Sequence, residues 1–267
     1  MEIKIPGTGK CQDETVLNLA ESRFAAIALN GCAMGIALWY LRMELRMRLF
    51  VEHKHRIYLW RLGWGHNSTY QQYLCLQFKR TQLKKSQDLK LRTRLLVDQI
   101  IEVGNLSSNI SILCIGCRNS AEIDYFKSKG LSNVVGIDLF SEDPNILVMD
   151  MHQMTFPDSC FDMIYSSHSL EHAHDVLGVV RQIVRVACPG ALVALEVPVQ
   201  YGPRGADLHD FGGLKNLHAI WGSHIAQILW SEEQQPNSLR NDSGTAIVRT
   251  IFSLQKKGES SAGEVRC

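Results

Sequence analysis

The chain has 267 residues, 45% of them hydrophobic, and 28 Lys or Arg against 27 Asp or Glu leave a formal net charge of +1. That content supports a folded α/β domain of about 160–180 residues with about 90 to spare, and the absence of an internal repeat or a long low-complexity tract excludes a repeat array and a disordered chain. The eight cysteines are scattered, without regular spacing or a secretory cleavage pattern, which points to a reducing intracellular setting and away from a disulfide framework.

In chain order, residues 1–23 are polar and residues 24–41 form an 18-residue run without a formal charge. A helix of that length would reach about 27 Å, just short of a hydrocarbon core. Asn30, Gly31 and Gly35 weaken a span, whereas Trp39 and Tyr40 suit an interface. Residues 41–94 then carry thirteen Lys or Arg against three acids, Glu44, Glu52 and Asp88. This excess admits three readings. The preferred one is a helical extension that covers the sheet or a partner, with Leu83, Leu91, Leu95 and Ile101 on its apolar side. Next comes docking of residues 24–94 on an anionic membrane surface or a protein partner. Nucleic-acid binding, helped by Tyr58, Trp60, Trp64, Tyr70 and Tyr73, ranks last. The expected organisation is a basic helical extension over 1–95 with its apolar segment at 24–41, a main domain over 96–256, and a flexible tail over 257–267.

The main domain opens with an apolar strand at 111–115 that breaks at Gly116 into Cys117-Arg118-Asn119-Ser120, before a helix predicted over 121–129. Asn119 and Glu122 read as a helix N-cap pair, which would turn free backbone N–H groups and the positive helix end towards a ligand. A second strand at 133–137 ends on Asp138, where a carboxylate can accept from both hydroxyls of a ribose. A third at 146–149 ends on Asp150-Met151, suited to an adenine amino group and ring nitrogen. All three ends fall on one sheet edge, where open α/β sheets bind ligands. Strands at 161–166 and 191–197 follow, and runs at 223–230 and 244–253 can close the sheet as an antiparallel pair.

Several further residues come in an ordered series: Phe156-Pro157-Asp158, then Phe161-Asp162, then His168-Ser-Leu-Glu171-His172, then Arg185-Val-Ala-Cys-Pro189-Gly190. With them, residues 111–197 resemble the class I S-adenosylmethionine-dependent methyltransferases, especially the small-molecule "type 11" group. The resemblance implies an α/β fold: a three-layer α/β/α Rossmann-like sandwich with a mostly parallel seven-stranded sheet in the order 3-2-1-4-5-7-6, preceded here by the N-terminal helical extension. It also implies S-adenosylmethionine as cofactor, held around Gly116, Cys117, Arg118, Asp138, Leu139, Asp150, Met151 and Ser167, and a small molecule, lipid or sugar as acceptor. The family's acidic residue and three spaced glycines stand here as Cys114, Gly116, Arg118 and Ser120, so one glycine survives. Arg118 can pair instead with the methionine carboxylate, since a guanidinium matches the planar fork of a carboxylate. The alternative reading is a methyltransferase-like fold without turnover, a structural or binding subunit docked through its N-terminus. Carboxylates at both strand ends favour the enzyme.

Methyl transfer needs a base only where the acceptor must lose a proton, and His168 and His209 are the candidates, with a ring that titrates near neutrality. His172 is expected to pack at a helix start. Two rival motifs carry less weight. His168-Ser-Leu-Glu171-His172 fits the H-x-x-E-H pattern of inverted zinc peptidases but follows a strand directly. Cys114-Ile-Gly-Cys117 fits a redox pair but begins inside a strand. No metal site is expected.

Overall fold

The computed structural model describes residues 69–84, 88–203 and 205–255. Two helices come first, α1 (Thr69–Lys84) and α2 (Leu91–Gly104). They are followed by β1 (Ile112–Ile115), α3 (Ala121–Ser128), β2 (Val134–Asp138), β3 (Ile146–Val148), β4 (Phe161–Ser167) and α4 (Val176–Val186). The chain then continues through β5 (Ala187–Val199), α5 (Leu214–Trp221), β6 (Ile225–Gln234) and β7 (Ala246–Leu254). The seven strands form one sheet in the expected order, β3-β2-β1-β4-β5-β7-β6. β1 to β5 run parallel, and β7 is antiparallel to both β5 and β6.

β1 reads Ile-Leu-Cys-Ile and all four side chains are buried, because it lies between β2 and β4 with helices on both faces. On one face Leu96, Val97 and Ile100 of α2 and Ile123 and Phe126 of α3 pack on Ile112, Cys114 and Met163. On the other, Trp221 of α5 meets Phe252 of β7 edge-on, with ring centroids 5.0 Å apart. α4 buries Val176, Val179, Val180, Ile183 and Val186, a 3–4-residue spacing that defines one helix face. Asp175 caps it, accepting from the Gly178 N–H at 2.9 Å.

The stretch through Leu83, Leu91, Leu95 and Ile101 is not one helix. Lys90 is extended, the Leu91 N–H donates to the Asp242 carboxylate at 3.1 Å, and the Leu91 side chain is 47% exposed. α2 runs through residues 95 and 96, and its buried face belongs to the core of the sheet. Among the described residues no helix is long and apolar enough to cross a membrane, and the apolar segment 24–41 lies outside them.

A buried charge cluster joins the right half of the sheet. Glu196 on β5 and Arg249 on β7 are both wholly buried, with Arg249 Nε 2.6 Å from Glu196 Oε2. Arg249 also pairs with Glu232 on β6 and donates to the Arg240 carbonyl at 2.7 Å. Burial alone would push the Glu196 carboxyl up, but the hydrogen bond and charge of His168 and the charge of Arg249 outweigh it and hold the group at about 2. Removing one member of such a cluster strands the others without water. Arg249→Met is expected to lower stability by about 3–5 kcal/mol, read from urea unfolding.

Candidate functional site

The carboxyl ends of β1 to β4 open on a common cavity of about 580 Å³, measured out to its mouth. Gly116 follows β1, Asp138 ends β2, Asp150 and Met151 follow β3, and His168 follows β4, and all of these line it, as does Leu139. Gly116 has φ +79°, and a Cβ there would stand 2.2 Å from the Ser169 hydroxyl, which donates to the Ile115 carbonyl at 2.9 Å. Only glycine permits that approach.

α1 lies against this cavity. Tyr70, Tyr73, Gln77, Arg80 and Thr81 recur at helical spacing, and all but Tyr70 line the cavity. The helix is fixed by Gln77, whose Nε2 donates to the Ala206 carbonyl at 3.0 Å, and by an ion pair of Arg80 with Asp207. Phe78 packs on Phe140 with centroids 4.8 Å apart. The stripe was readable as a helix face, but nothing in the sequence said that the face would close a pocket built some 40–70 residues further on.

The two strand-end carboxylates differ in surroundings. Asp138 accepts from the Arg118 N–H at 3.0 Å through one oxygen and from the Phe140 N–H at 2.9 Å through the other. Burial still raises its carboxyl, against those backbone bonds and the Arg118 charge. For Asp150 burial is outweighed by the bonds it accepts from His152 and from the Tyr70 hydroxyl, so its carboxyl sits below the usual range. The Tyr73 hydroxyl is pushed well up by burial and by the charges of Asp150 and Asp138, and it stays protonated.

The turn after β1 corrects the expectation of free backbone donors. The Gly116 and Cys117 N–H groups go to the Ile137 carbonyl at 2.8 and 3.3 Å, and Arg118 N–H goes to Asp138. At the start of α3 the Ser120 N–H donates to Asp143 at 2.8 Å and the Ala121 N–H to the Asn119 side chain at 3.1 Å. Asn119 and Glu122 form no capping box, since the cap position is Ser120 and makes no side-chain cap bond. Glu122 instead joins Arg118, Asn119, Arg92, Ser167 and His168 in lining a polar cleft. This cleft shares Gly116, Arg118, His168 and His172 with the cavity, so the two are continuous. Cys117 turns its thiol into the core, where a Cβ on Gly136 would stand 2.6 Å from it. Cys117 is nevertheless among the residues that line the cleft. The thiols of Cys114 and Cys117 are both pushed well up by burial and are unpaired, unlike a reactive dithiol.

His168 sits where cavity and cleft meet. Its backbone N–H donates to the Glu196 carbonyl at 2.9 Å, and its Nε2 stands 3.1 Å from Glu196 Oε1. Arg92 Nε is 3.0 Å from the same nitrogen and 3.2 Å from Glu196 Oε1. Arg92 Nε–H donates to that nitrogen, and Glu196 Oε1 stands within reach of both groups. The other ring nitrogen, Nδ1, stands 3.6 Å from Glu171 Oε1. Ser167 turns its hydroxyl to Glu196 as well, at 3.1 Å.

His209 is not brought to this place. Its Nε2 donates to the Ala173 carbonyl at 2.8 Å and its ring stacks on Phe211, so it buttresses the 3₁₀ turn Leu170–His172 from outside the cavity. Asp207 and Asp210 are likewise structural, Asp207 pairing with Arg80 and His172 and Asp210 gathering four backbone N–H groups, while Arg204 lies outside the described residues. The H-x-x-E-H letters do not share one helix face, because His168 turns to Glu196 and His172 to Asp207. Among the described residues no three His, Cys, Asp or Glu are grouped to hold a metal ion. Of the basic stretch at 41–94, Arg80 and Arg92 are spent on Asp207, Glu196 and Asp242 within the domain.

Residues 113–195 match a family model described as "Methyltransferase domain". A 76-residue stretch is 32% identical to cycloartenol-C-24-methyltransferase of Arabidopsis thaliana, covering 28% of this chain. The chain spans only 22% of the length of that curated relative. Among solved structures it is similar to the 1,6-didemethyltoxoflavin-N1-methyltransferase of Burkholderia thailandensis, crystallised with 1,6-didemethyltoxoflavin and S-adenosylhomocysteine. That likeness has 13% identity, covers 72% of this chain and 93% of the other, and has a TM-score of 0.55, which establishes the shared fold.

Glu122 gives the site a testable signature. Burial raises its carboxyl from 4.5 to about 8, with Arg118 opposing and Asp138 and Glu196 adding to the rise. An acid raised on folding is protonated in both states at low pH and then penalises the folded state as pH climbs from the unfolded value towards the folded one. Glu122→Gln is therefore expected to raise the melting temperature of the ligand-free protein, with a larger gain at pH 8 than at pH 4.5 by calorimetry.

Proposed function

We propose that this chain, whose residues 113–195 belong to the class I S-adenosylmethionine-dependent methyltransferase family, transfers the methyl group of S-adenosylmethionine to an acceptor that loses a proton to His168. The observation that carries this reading is the placement of Asp138 and Asp150 at neighbouring strand ends of one cavity, with His168 at its junction with a polar cleft. The residues fit the cofactor. Asp138 has lone pairs left for two ribose hydroxyls after accepting two backbone bonds, and Asp150 with the Met151 backbone suits the adenine edge. When bound, the cofactor supplies an electrophilic methyl group.

The protein's own part is positioning, proton removal and exclusion of water. Arg92 and Glu196 hold the His168 ring in place, so that the imidazole can take the proton the acceptor gives up. Tyr73, Gln77 and Arg80 of α1 close the nucleoside side of the cavity. The acceptor enters from the cleft side. A structural role without turnover is not favoured, because it gives no reason for two carboxylates and an oriented histidine to converge.

Calorimetric titration with S-adenosylhomocysteine tests the reading. Binding is expected to weaken about 10- to 100-fold in Asp138→Ala and in Asp150→Asn, the cost of a lost charge-assisted bond. His168→Ala is expected to bind nearly as well as the wild type. No binding by the wild-type chain at millimolar ligand would overturn the proposal.

A further inference from the structure

In the turn after β1 the N–H groups of Gly116, Cys117, Arg118, Ser120 and Ala121 are bonded within the protein. The polar cleft beside it is lined by charged and polar side chains. Two of opposite charge flank its inner end, Arg118 on the turn and Glu122 in the first turn of α3. Glu122 makes no hydrogen bond or ion pair among the described residues, although it lies partly buried, whereas Asp138 and Glu196 are hydrogen-bonded. Its charge is felt at the Cys114 thiol and at the Tyr165 hydroxyl, on β1 and β4. It thus delivers a carboxyl from the helix to the neighbourhood of Cys114, a strand position whose own side chain is an inert buried thiol. The cleft is continuous with the nucleoside side of the cavity through Gly116, Arg118 and His168.

Resting on the cofactor reading above, we propose that Glu122 and Arg118 form a receptor for the zwitterionic amino-acid end of the adenosyl ligand, Glu122 taking the ammonium and Arg118 the carboxylate. The pairing suits the chemistry of each group. An ammonium offers three donors to a carboxylate that has no partner among the described residues, and a guanidinium receives a carboxylate as a two-pronged fork. The groups facing Glu122 are Arg118, Asp138 at the end of β2, Glu196 on β5, Arg92 on α2, and Cys114 and Tyr165. The negative groups among them add to the attraction for an ammonium.

The test is calorimetry on the full chain at pH 8.5, where the Glu122 carboxyl is largely ionised before ligand arrives. The probes are S-adenosylhomocysteine, 5′-methylthioadenosine, which lacks the amino-acid end, S-adenosylmethionine, and its decarboxylated form, which keeps the ammonium alone. Glu122→Gln is expected to weaken S-adenosylhomocysteine by about tenfold or more and to leave 5′-methylthioadenosine within about twofold. Arg118→Met is expected to weaken S-adenosylmethionine and spare the decarboxylated form. Unchanged binding of 5′-methylthioadenosine also shows that each variant is folded. The proposal is overturned if Glu122→Gln weakens both nucleosides equally or neither, or if the wild type binds them equally well. If the wild type binds no probe at all, the methyltransferase reading falls with it.

Discussion

The carboxylate of Glu196 is the point on which fold and site both turn. It is wholly buried on β5 and is reached from four directions, by Arg249 of β7, by Arg92 of α2, and by Ser167 and His168 at the end of β4. A buried charge is tolerated only when its lone pairs are filled, and here the partners that fill them come from β7, α2 and the end of β4. The cluster therefore has two consequences at once. It ties the antiparallel β5-β7-β6 half of the sheet to the parallel half, and it holds His168 where the cavity and the cleft meet.

The glycine-poor turn after β1 follows a related logic. A loop that binds a ligand through backbone N–H groups must leave them free, and glycine lets the ligand come close enough to use them. Here Asp138 and Asp143 reach across from β2 and from the loop beyond it to take the Arg118 and Ser120 N–H groups. The turn is then held by its own protein, and side chains can stand at Arg118 and Ser120 where a bare backbone would be needed otherwise. The same turn and helix bring the charged side chains of Arg118 and Glu122 to the wall of the cleft.

α1 shows how the basic segment before the sheet serves the domain. Its aromatic and polar stripe, Tyr70, Tyr73, Gln77 and Arg80, is matched by Asp150, the Ala206 carbonyl and Asp207, contributed from loops at the carboxyl edge. The local excess of positive charge is thus partly answered by the acidic residues of the domain itself. The Tyr73 ring lines the cavity, and the Tyr70 hydroxyl beside it donates to the Asp150 carboxylate, so each tyrosine uses a different part of its side chain.

The sequence by itself determined the seven strands, while their order was implied by the family resemblance it carries. Continuous apolar runs such as Ile112–Ile115 have no alternative but burial on both faces, and each ends in a turn residue that marks the same edge. For the same reason the placement of Asp138 and Asp150 at the edge of the cavity was legible, because strand polarity alone puts them there. The tertiary structure decided what depends on contacts between distant segments. It divided the expected helix at Leu91 through a bond to Asp242, turned Glu122 from a supposed cap into the cleft, and brought Glu196 and Arg92 to His168 while leaving His209 on the Ala173 carbonyl. Histidines 168 and 209 carry the same chemistry in sequence. What separates them is which partners the fold brings within about 3 Å, and hydrogen bonds of that reach have no sequence period to announce them.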